Sequence, residues 1–166
     1  MTSVDNPLMG PAPFRFRPRD GSLEGPAFSR AFQLLTSAIV FGSLGWCIQL
    51  WLDGKFGATG WEGLRAAGWF VLGWCLLAWT AWQVWTSRVR LDEHGLHQTW
   101  IWNKDMAYDD LAYAKLLRVR GLEWLMAPRL YVRTLVGKFA VFYISDADVL
   151  QEAERLSKEL QAFRAL

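Results

Sequence analysis

The chain has 166 residues, of which 52% are apolar and 20% are charged, and its formal net charge is +2. That length allows one ordinary domain, or a small domain with a membrane anchor, and the small net charge argues against a nucleic-acid-binding protein. Eleven tryptophans are far more than a soluble protein of this size needs. Tryptophan favours membrane interfaces because its ring is apolar while its N–H requires a polar partner.

The first 29 residues contain five prolines and three glycines, and they show no sustained helical or strand period. We therefore expect residues 1–29 to form a flexible N-terminal segment. This segment does not fit a cleaved signal peptide, because the apolar stretch that follows it begins too late and is too long for a signal core.

Two uncharged apolar segments follow, at residues 31–52 and 66–85. Each is long enough for a helix to cross roughly 30 Å of hydrocarbon, where every backbone N–H and C=O must be paired internally. The alternative, two buried helices of a soluble protein, would require a larger core than the rest of the chain could build. The short glycine-rich segment 53–65 between them predicts an antiparallel transmembrane hairpin over residues 30–86.

The basic residues that flank the two spans predict the orientation of this hairpin. Cytoplasmic flanks of membrane helices carry an excess of Lys and Arg. The connecting loop has only Lys55 and Arg65, whereas the outer flanks hold Arg15, Arg17, Arg19, Arg30, Arg88 and Arg90. We therefore predict that both termini are cytoplasmic.

Small side chains let membrane helices approach closely, so they predict the packing faces of the two spans. These residues are Ala38, Gly42 and Gly45 in the first span and Gly73 and Thr80 in the second. We expect the two faces to contact each other, and formation of a homo-oligomer through the same faces is the alternative. Cys47 and Cys75 would differ in depth by roughly 6 Å, which disfavours a disulfide.

From Ser87 onward the apolar period shortens to two, which predicts short β-strands separated by turns. The strands are expected near residues 89–91, 96–102 and 113–121, and in a hairpin over 129–144. A helical period returns at the C-terminus, with Ser145 and Asp148 as a capping pair. Its apolar stripe consists of Val149, Ala153, Leu156, Leu160 and Phe163. Residues 87–166 therefore predict an α+β barrel of six or seven antiparallel strands, covered at one end by this helix.

The junction "SRVRLDEHGL", the segment "MAYDDLAYAKL" and the terminal helix resemble bacterial pleckstrin-homology-like (PH-like) membrane proteins. In that family a pair of membrane helices leads directly into a PH-like barrel. The resemblance covers residues 31–166. It implies a multi-pass protein of the bacterial inner (cytoplasmic) membrane, whose cytoplasmic domain serves as an interaction module or scaffold.

The polar residues offer no recognisable catalytic or metal-binding motif. His94 and His97 flank a predicted turn without a third clustered ligand, and Asp109 and Asp110 would point to opposite faces of a strand. The turn 92–95 carries two carboxylates that would repel a phosphorylated head group. We therefore predict a non-enzymatic protein without a metal, cofactor or phosphoinositide site.

Two candidate interaction surfaces remain. One is basic and comprises Arg118, Arg120, Arg129, Arg133 and Lys138, which form either a solvated face or a site for anionic lipid or an acidic partner. The other is an apolar loop with Leu122, Trp124, Leu125 and Met126, which either folds under the barrel or contacts another molecule.

These surfaces lead to three functional hypotheses. The first is an accessory subunit or assembly factor of a larger membrane complex, with the PH-like domain binding another protein. The second is a sensor or scaffold for anionic lipid, whose basic strands and Trp124 loop rest on the bilayer. The third is an enzyme subunit whose catalytic residues come from another chain.

Overall fold

The computed structural model describes residues 13–55 and 61–165. In chain order the elements are β1 (Leu23–Pro26), α1 (Arg30–Leu52), α2 (Trp61–Thr86), β2 (Arg88–Leu91), β3 (Gly95–Thr99), β4 (Lys104–Ala107), β5 (Leu111–Leu117), β6 (Arg129–Thr134), β7 (Phe139–Tyr143) and α3 (Ala147–Arg164). Residues 56–60 of the predicted loop between α1 and α2 lie outside the described residues.

The two long helices agree closely with the apolar spans of the sequence. Arg30–Leu52 and Ala67–Thr86 are each long and apolar enough to cross a membrane, and only 11% of each apolar window is buried. A core helix of a soluble protein would be mostly covered. Ser29 caps α1, because its hydroxyl accepts a hydrogen bond from the backbone N–H of Phe32 at 3.2 Å.

The helices contact each other through a face other than the predicted one. Trp74 Nε1 donates to the carbonyl of Val40, and Trp85 Nε1 donates to Ser37 Oγ, both at 3.0 Å. The small residues predicted to form the contact are exposed instead; they are Ala38, Gly42, Gly45, Gly73 and Thr80. The prediction that these two faces meet is therefore wrong, and the oligomer alternative stays a prediction.

The composition of the two helices explains why they contact each other through a face other than the predicted one. Both are apolar on nearly all sides, so hydropathy selects no contact face, whereas an indole N–H in an apolar setting requires an acceptor. The acceptors of Trp74 and Trp85 lie on α1. The helix orientation that forms these two hydrogen bonds leaves the glycines facing outward. A Cβ added at Gly42, Gly45 or Gly73 would meet nothing within 4 Å. Both cysteines are free, as predicted.

The seven strands form two antiparallel sheets, which we call sheet 1 (order β1-β2-β3-β4) and sheet 2 (order β5-β6-β7). No strand pairing joins the two sheets within the described residues, so the predicted barrel is not closed. The sheets are linked by a backbone hydrogen bond at one end, where the N–H of Ser145, just after β7, donates to the carbonyl of Pro26 in β1 at 3.2 Å, and by two side-chain contacts. Lys104 Nζ donates to the carbonyl of Val141 at 2.8 Å, and the N–H of Tyr143 donates to Gln98 Oε1 at 3.3 Å.

The N-terminal segment is part of the folded domain, so the prediction of a flexible segment is wrong for residues 13–29. β1 pairs with β2 from Leu23–Leu91 to Pro26–Arg88. Phe14 and Phe16 are buried in the main core. Residues 1–12 lie outside the described residues. The domain therefore consists of two pieces of chain, residues 13–26 and 87–165, with the helix pair inserted between its first and second strands.

The main core lies between the two sheets and α3. The α3 stripe is confirmed for Val149, Ala153, Leu156 and Leu160, which are fully buried, whereas Phe163 at its end is 37% exposed. Each buried leucine contributes about 1.5–3 kcal/mol relative to an exposed one. The helix cap is Asp146 rather than Ser145, and its Oδ1 accepts from the N–H groups of Asp148 and Val149 at 3.1 and 3.2 Å.

The predicted capping pair does not form: the N–H of Ser145, from which the Asp148 side chain would accept a hydrogen bond in such a pair, donates instead to the carbonyl of Pro26 in β1 at 3.2 Å. This contact keeps Ser145 in the extended chain that leaves β7. The helix therefore begins one residue later than the sequence pattern predicts.

The domain has two distinct ends. At the helix end, α1 begins and α2 ends, and the loops 100–103 and 118–128 lie beside them. Ser29 Oγ donates to the carbonyl of Leu125 at 2.7 Å, and Ser87 Oγ donates to that of Thr99 at 2.6 Å. The far end carries the turns 92–94, 108–110 and 135–138. The last two are joined by the N–H of Leu135, which donates to the carbonyl of Asp110 at 2.7 Å.

Candidate interaction surfaces

The outward side chains of sheet 2 form a regular surface, in which the residues of β5 together with Arg133 and Phe139 are exposed, while Arg129, Tyr131, Val141 and Tyr143 are half-buried. The strand register places them in three cross-strand rows, which are Tyr113–Arg133–Phe139, Lys115–Tyr131–Val141 and Leu117–Arg129–Tyr143. Their neighbours along each strand, such as Leu130 and Phe142, point into the core. Side chains alternate between the two faces of a strand, so these nine residues share one face. We call this surface the sheet face.

The chemistry of the sheet face is one-sided. Its nine residues include three cations, four aromatic rings, one leucine and one valine, and no carboxylate. Lys115, Arg129 and Arg133 form no ion pair with any other described residue. The Arg129 guanidinium instead lies 5.5 Å from the centre of the Tyr143 ring. That contact leaves the positive charge uncompensated, so the face as a whole is positive and partly apolar.

The hairpin that carries two thirds of this face follows from its turn residues. Gly137 has φ +90°, a conformation that side chains rarely adopt, and the chain reverses there. The hydroxyl of Thr134 accepts from the N–H of Lys138 at 2.9 Å, which closes the turn. Tyr131 and Phe139 lie across the hairpin with ring centres 5.6 Å apart. The aromatic part of the face is thus fixed by the β6–β7 pairing.

The predicted basic set is divided by the structure. Arg129 and Arg133 lie on the sheet face. Arg118 and Arg120 lie beyond the end of β5, and Arg118 forms an ion pair with Glu154 of α3. Lys138 occupies the turn at the far end. The sequence reasoning missed Lys115, although the alternation of exposed and inward residues along β5 already indicated it.

The predicted apolar loop is also divided. Leu125 and Met126 are half-buried and, with Phe28 and Phe32, line a small cavity at the start of α1. Trp124 remains 66% exposed and Leu122 is also exposed. One half of the loop therefore folds against the domain, while the other half faces outward.

An aromatic cluster fixes the domain against α1. Phe28 stacks on Phe32 and Tyr143 with ring centres 5.5 and 5.2 Å apart, and it meets the edge of Trp100 at 5.7 Å. The Lys104 ammonium lies 5.4 Å from the centre of the Trp100 ring, and burial lowers the pKa of this lysine. Aromatic pairs of this geometry contribute about 0.5–1.5 kcal/mol each beyond their burial.

The outer face of sheet 1 differs from the sheet face because its charges compensate one another. The register places Glu24, Arg90, His97 and Asp105 in one row across four strands. His97 Nδ1 lies 2.7 Å from Asp105 Oδ1, and its Nε2 lies 3.4 Å from Asp92 Oδ1. Carboxylates and the Arg90 guanidinium occur together along the row, so this surface carries both signs of charge.

Asp92 organises the turn between β2 and β3. Its Oδ1 accepts from the N–H groups of His94 and Gly95 at 2.9 and 3.0 Å. Burial of the Asp92 carboxyl alone would raise its pKa. The two backbone donors and the positive charges of His97 and Arg90 outweigh burial and hold the pKa of Asp92 below its ordinary value of 3.8.

The histidines therefore belong to an ionic network of the turn. Among residues 13–55 and 61–165, no group of three or more potential ligands could hold a metal ion. Asp109 and Asp110 are both exposed in the turn before β5.

The largest cavity lies at the far end and has a volume of about 670 Å³. Its charged and polar lining residues are Arg15, Arg17, Glu93, His94, Tyr108 and Asp109. Arg17 Nε lies 3.6 Å from Glu93 Oε1, so the cavity carries both signs of charge. It also lies at the opposite end of the domain from the helices, away from any bilayer that they cross.

Comparison of the chain with protein-family models, with curated proteins and with solved structures finds no match. The resemblance to bacterial PH-like membrane proteins therefore stays a prediction.

Proposed function

We propose that this protein is a non-enzymatic, membrane-anchored interaction module. Its helix pair crosses a bilayer, and its sheet face binds an acidic, partly apolar segment of another protein. In this role it is an accessory subunit or assembly factor of a membrane complex. The observation that carries the proposal is the sheet face, which has three cations and four aromatic rings without a carboxylate.

The composition of this face suits protein recognition. Tyrosine, phenylalanine and arginine are enriched in protein interfaces, where buried aromatic and arginine anchors supply most of the binding energy. A surface of one sign attracts a partner of the opposite sign and selects against others. An acidic segment with apolar side chains would therefore complement both properties of the face.

The proposed membrane placement is supported by the two helices and by the charges at their ends. Arg30 and Arg88 are exposed at the helix end, beside the domain, whereas Lys55 and Arg65 lie toward the opposite end of the pair. An excess of Lys and Arg on the domain side favours a cytoplasmic domain with both termini cytoplasmic. In combination with the family resemblance, this supports the proposal that the protein lies in the inner membrane of a bacterium.

A PH-like fold is part of the same proposal. Seven antiparallel strands in two sheets, followed by a C-terminal helix over the core, support it. Two features depart from the expected plan. The first strand precedes the helix pair, and the two sheets are linked by side chains and one backbone hydrogen bond instead of strand pairing.

The basic residues of the lipid-sensor alternative are divided between the two ends of the domain. Arg118, Arg120 and Arg129 lie toward the helix end. Arg133 pairs with Phe139 near the turn 135–138, and Lys138 is in that turn, so both lie toward the far end. A bilayer crossed by α1 and α2 would lie at the helix end. The Trp124 loop, in contrast, does lie at the helix end.

Photo-crosslinking in native membranes tests the proposal with the full chain. A benzoylphenylalanine residue placed at Tyr131 should form an adduct with another protein through an acidic segment, because Tyr131 lies at the centre of the sheet face. The same residue placed at Lys158, which is exposed on α3, is the control and should form no such adduct. Mass spectrometry of the adduct identifies the contacted segment.

Charge reversal completes this experiment. Arg133→Glu should reduce the yield of the Tyr131 adduct about tenfold, equivalent to a loss of about 1.4 kcal/mol. The matched reversal Lys158→Glu should leave the yield unchanged. Equal adducts from both positions, or an adduct that is insensitive to Arg133→Glu, would count against the sheet face as the binding site.

A further inference from the structure

Two loops at the helix end expose apolar side chains that no described residue covers. In the loop 100–103, Trp102 is 75% exposed and Ile101 is also exposed. In the loop 118–128, Trp124 and Leu122 are exposed in the same way. An exposed apolar patch of this kind marks a contact with a membrane or another molecule.

Both loops are fixed directly beside the ends of the long helices. Thr99 is paired with Arg88, only two residues after α2 ends, and the Trp102 loop continues from there. Ser29, which caps α1, donates its hydroxyl hydrogen to Leu125 in the Trp124 loop. The loops therefore lie at the level of the first turn of α1 and the last turn of α2.

That level corresponds to the interface of a bilayer. A helix of 23 residues such as α1 is about 35 Å long, slightly more than the roughly 30 Å of hydrocarbon, so its ends reach the head groups. Trp82 and Trp85 are exposed in the last turns of α2. Tryptophan is enriched at this depth, because its ring enters the apolar boundary while its N–H remains near water.

The charges beside the loops suit a phospholipid surface. Arg30, Arg88 and Arg120 are exposed at this end, and Glu123 is the single carboxylate in the sequence of the two loops. Basic residues next to a membrane are attracted to anionic lipid. The two loops therefore combine apolar tips with neighbouring positive charges. This combination fits a phospholipid surface better than it fits an acidic groove on a protein.

We infer that the Trp102 and Trp124 loops insert into the head-group region of the bilayer that the protein's own helices cross. The domain is thereby held at four places, two helix ends and two loops, and it has one fixed orientation. The sheet face then lies to the side and stays open to a partner. This inference rests on the membrane anchoring in the proposed function.

Depth measurements with the full chain in nanodiscs of phosphatidylcholine and phosphatidylglycerol test the inference. In a background of Cys47→Ser and Cys75→Ser, single labelling sites come from Trp102→Cys or Trp124→Cys and carry an environment-sensitive fluorophore. Two exposed apolar positions serve as controls. Val136→Cys labels the turn at the far end, where the side chain is 90% exposed, and Phe41→Cys labels the middle of α1.

The expected result is quenching of the labels at positions 102 and 124 by lipid-attached nitroxide, with loss of quenching by aqueous iodide. The label at position 136 should show the reverse behaviour. If positions 102 and 124 behave like 136 while the Phe41→Cys label is quenched by lipid nitroxide, loop insertion is wrong and the anchor stands. If labels at both loops are shielded from both quenchers, a protein contact covers them and loop insertion is again wrong.

The position in α1 separates this inference from the proposed function. A Phe41→Cys label that lipid nitroxide does not quench would show that α1 does not lie in the bilayer. The membrane anchoring, and the loop insertion with it, would then both be wrong. The crosslinking at Tyr131 depends on neither quencher and tests the sheet face independently.

Discussion

The two sheets of the domain present opposite kinds of outer surface. On sheet 1, Arg90 lies in one row with the carboxylates of Glu24 and Asp105, so both signs of charge occur on that surface. On sheet 2 the corresponding rows hold cations and aromatic rings without any carboxylate. Both surfaces are solvent-exposed and belong to one fold, so the difference does not arise from burial. A surface that contains its own counter-charges is complete, whereas a surface of one sign gains most from a partner.

The two sheets nevertheless share one core, so a change there should affect both. Phe16 is 5% exposed and packs on Tyr108 with ring centres 5.4 Å apart. We expect Phe16→Ala to lower the free energy of unfolding by about 3 kcal/mol, because it removes a large buried ring. Thermal unfolding of the detergent-solubilised chain measures this change.

The matched control is Phe139→Ala on the sheet face, where the ring is 58% exposed. Its effect should stay within about 0.5 kcal/mol, as for surface substitutions in general. A larger loss from Phe139→Ala than from Phe16→Ala would show that the sheet face serves stability and not binding.

A second substitution, Gly95→Ala, should destabilise sheet 1 more than sheet 2. Gly95 opposes Ala107 across the β3–β4 pair, and a Cβ at Gly95 would lie 2.1 Å from the carbonyl oxygen of Met106. This oxygen belongs to the backbone and cannot turn away, so Gly95→Ala should cost about 2 kcal/mol. Hydrogen exchange should accelerate in β3 and β4 before β6 and β7.

Gly73→Ala provides the control, since nothing lies within 4 Å of an added Cβ there. It should leave exchange in both sheets unchanged. Equal acceleration in the two sheets after Gly95→Ala would mean that they unfold only as one unit.

The smallest expected loss of stability comes from Asp92→Asn in the β2–β3 turn of sheet 1, and its size depends on pH. The Asp92 carboxyl has a pKa below 3.8 in the folded state, so its ionised form stabilises the fold above that pH. Asp92→Asn should cost about 1 kcal/mol at pH 7, because two backbone N–H groups lose a charged acceptor. The difference between the variant and the original chain should shrink as the pH falls below 3.8.

The control for this prediction is Asp109→Asn, which changes an exposed carboxylate in another turn at the far end. Its effect should be near zero at every pH. Urea unfolding at several pH values measures both variants. A constant difference for Asp92→Asn across the pH range would contradict the assigned role of the carboxylate.

The sequence predicted the parts of this fold that depend on local periodicity. The two uncharged segments, the alternating strands and the α3 stripe each repeat within a few residues. The structure confirms the two long helices and the alternation, but β3 ends at Thr99, β5 ends at Leu117, and Phe163 of the stripe is exposed. β1 was missed because "LEGP" is a poor strand sequence with both glycine and proline, and its partner β2 follows only after two long helices. A pairing so distant leaves no local trace.

A signal for the buried N-terminal segment was nevertheless present. Phe14 and Phe16 are buried while Arg15 and Arg17 are exposed, which is the alternation of an extended chain on a core. The prediction of a flexible segment gave more weight to the proline content than to this short alternation. The contact face of the helices had no comparable signal, since residues that are apolar all round do not distinguish lipid from a neighbouring helix.

The candidate surfaces were predictable to the extent that they follow strand alternation. Arg129 and Arg133 were assigned to one face from their spacing, and this is confirmed. Arg118 was not separable from them, because the end of β5 and the ion pair with Glu154 depend on how α3 packs. The proximity of the Trp102 and Trp124 loops arises only from the folded arrangement of both sheets.

The position of β1 ahead of the helices has a consequence for biosynthesis. Pro26 of β1 pairs with Arg88 of β2, 62 positions later, so β1 cannot form its strand pairing until the whole helix pair has been synthesised. At about 5–20 residues per second that interval lasts about 3–12 s. In the proposed membrane topology, the domain can close only once both helices have been inserted with their outer ends on the same side. A misinserted chain would expose an unfinished core, which quality-control proteases can recognise.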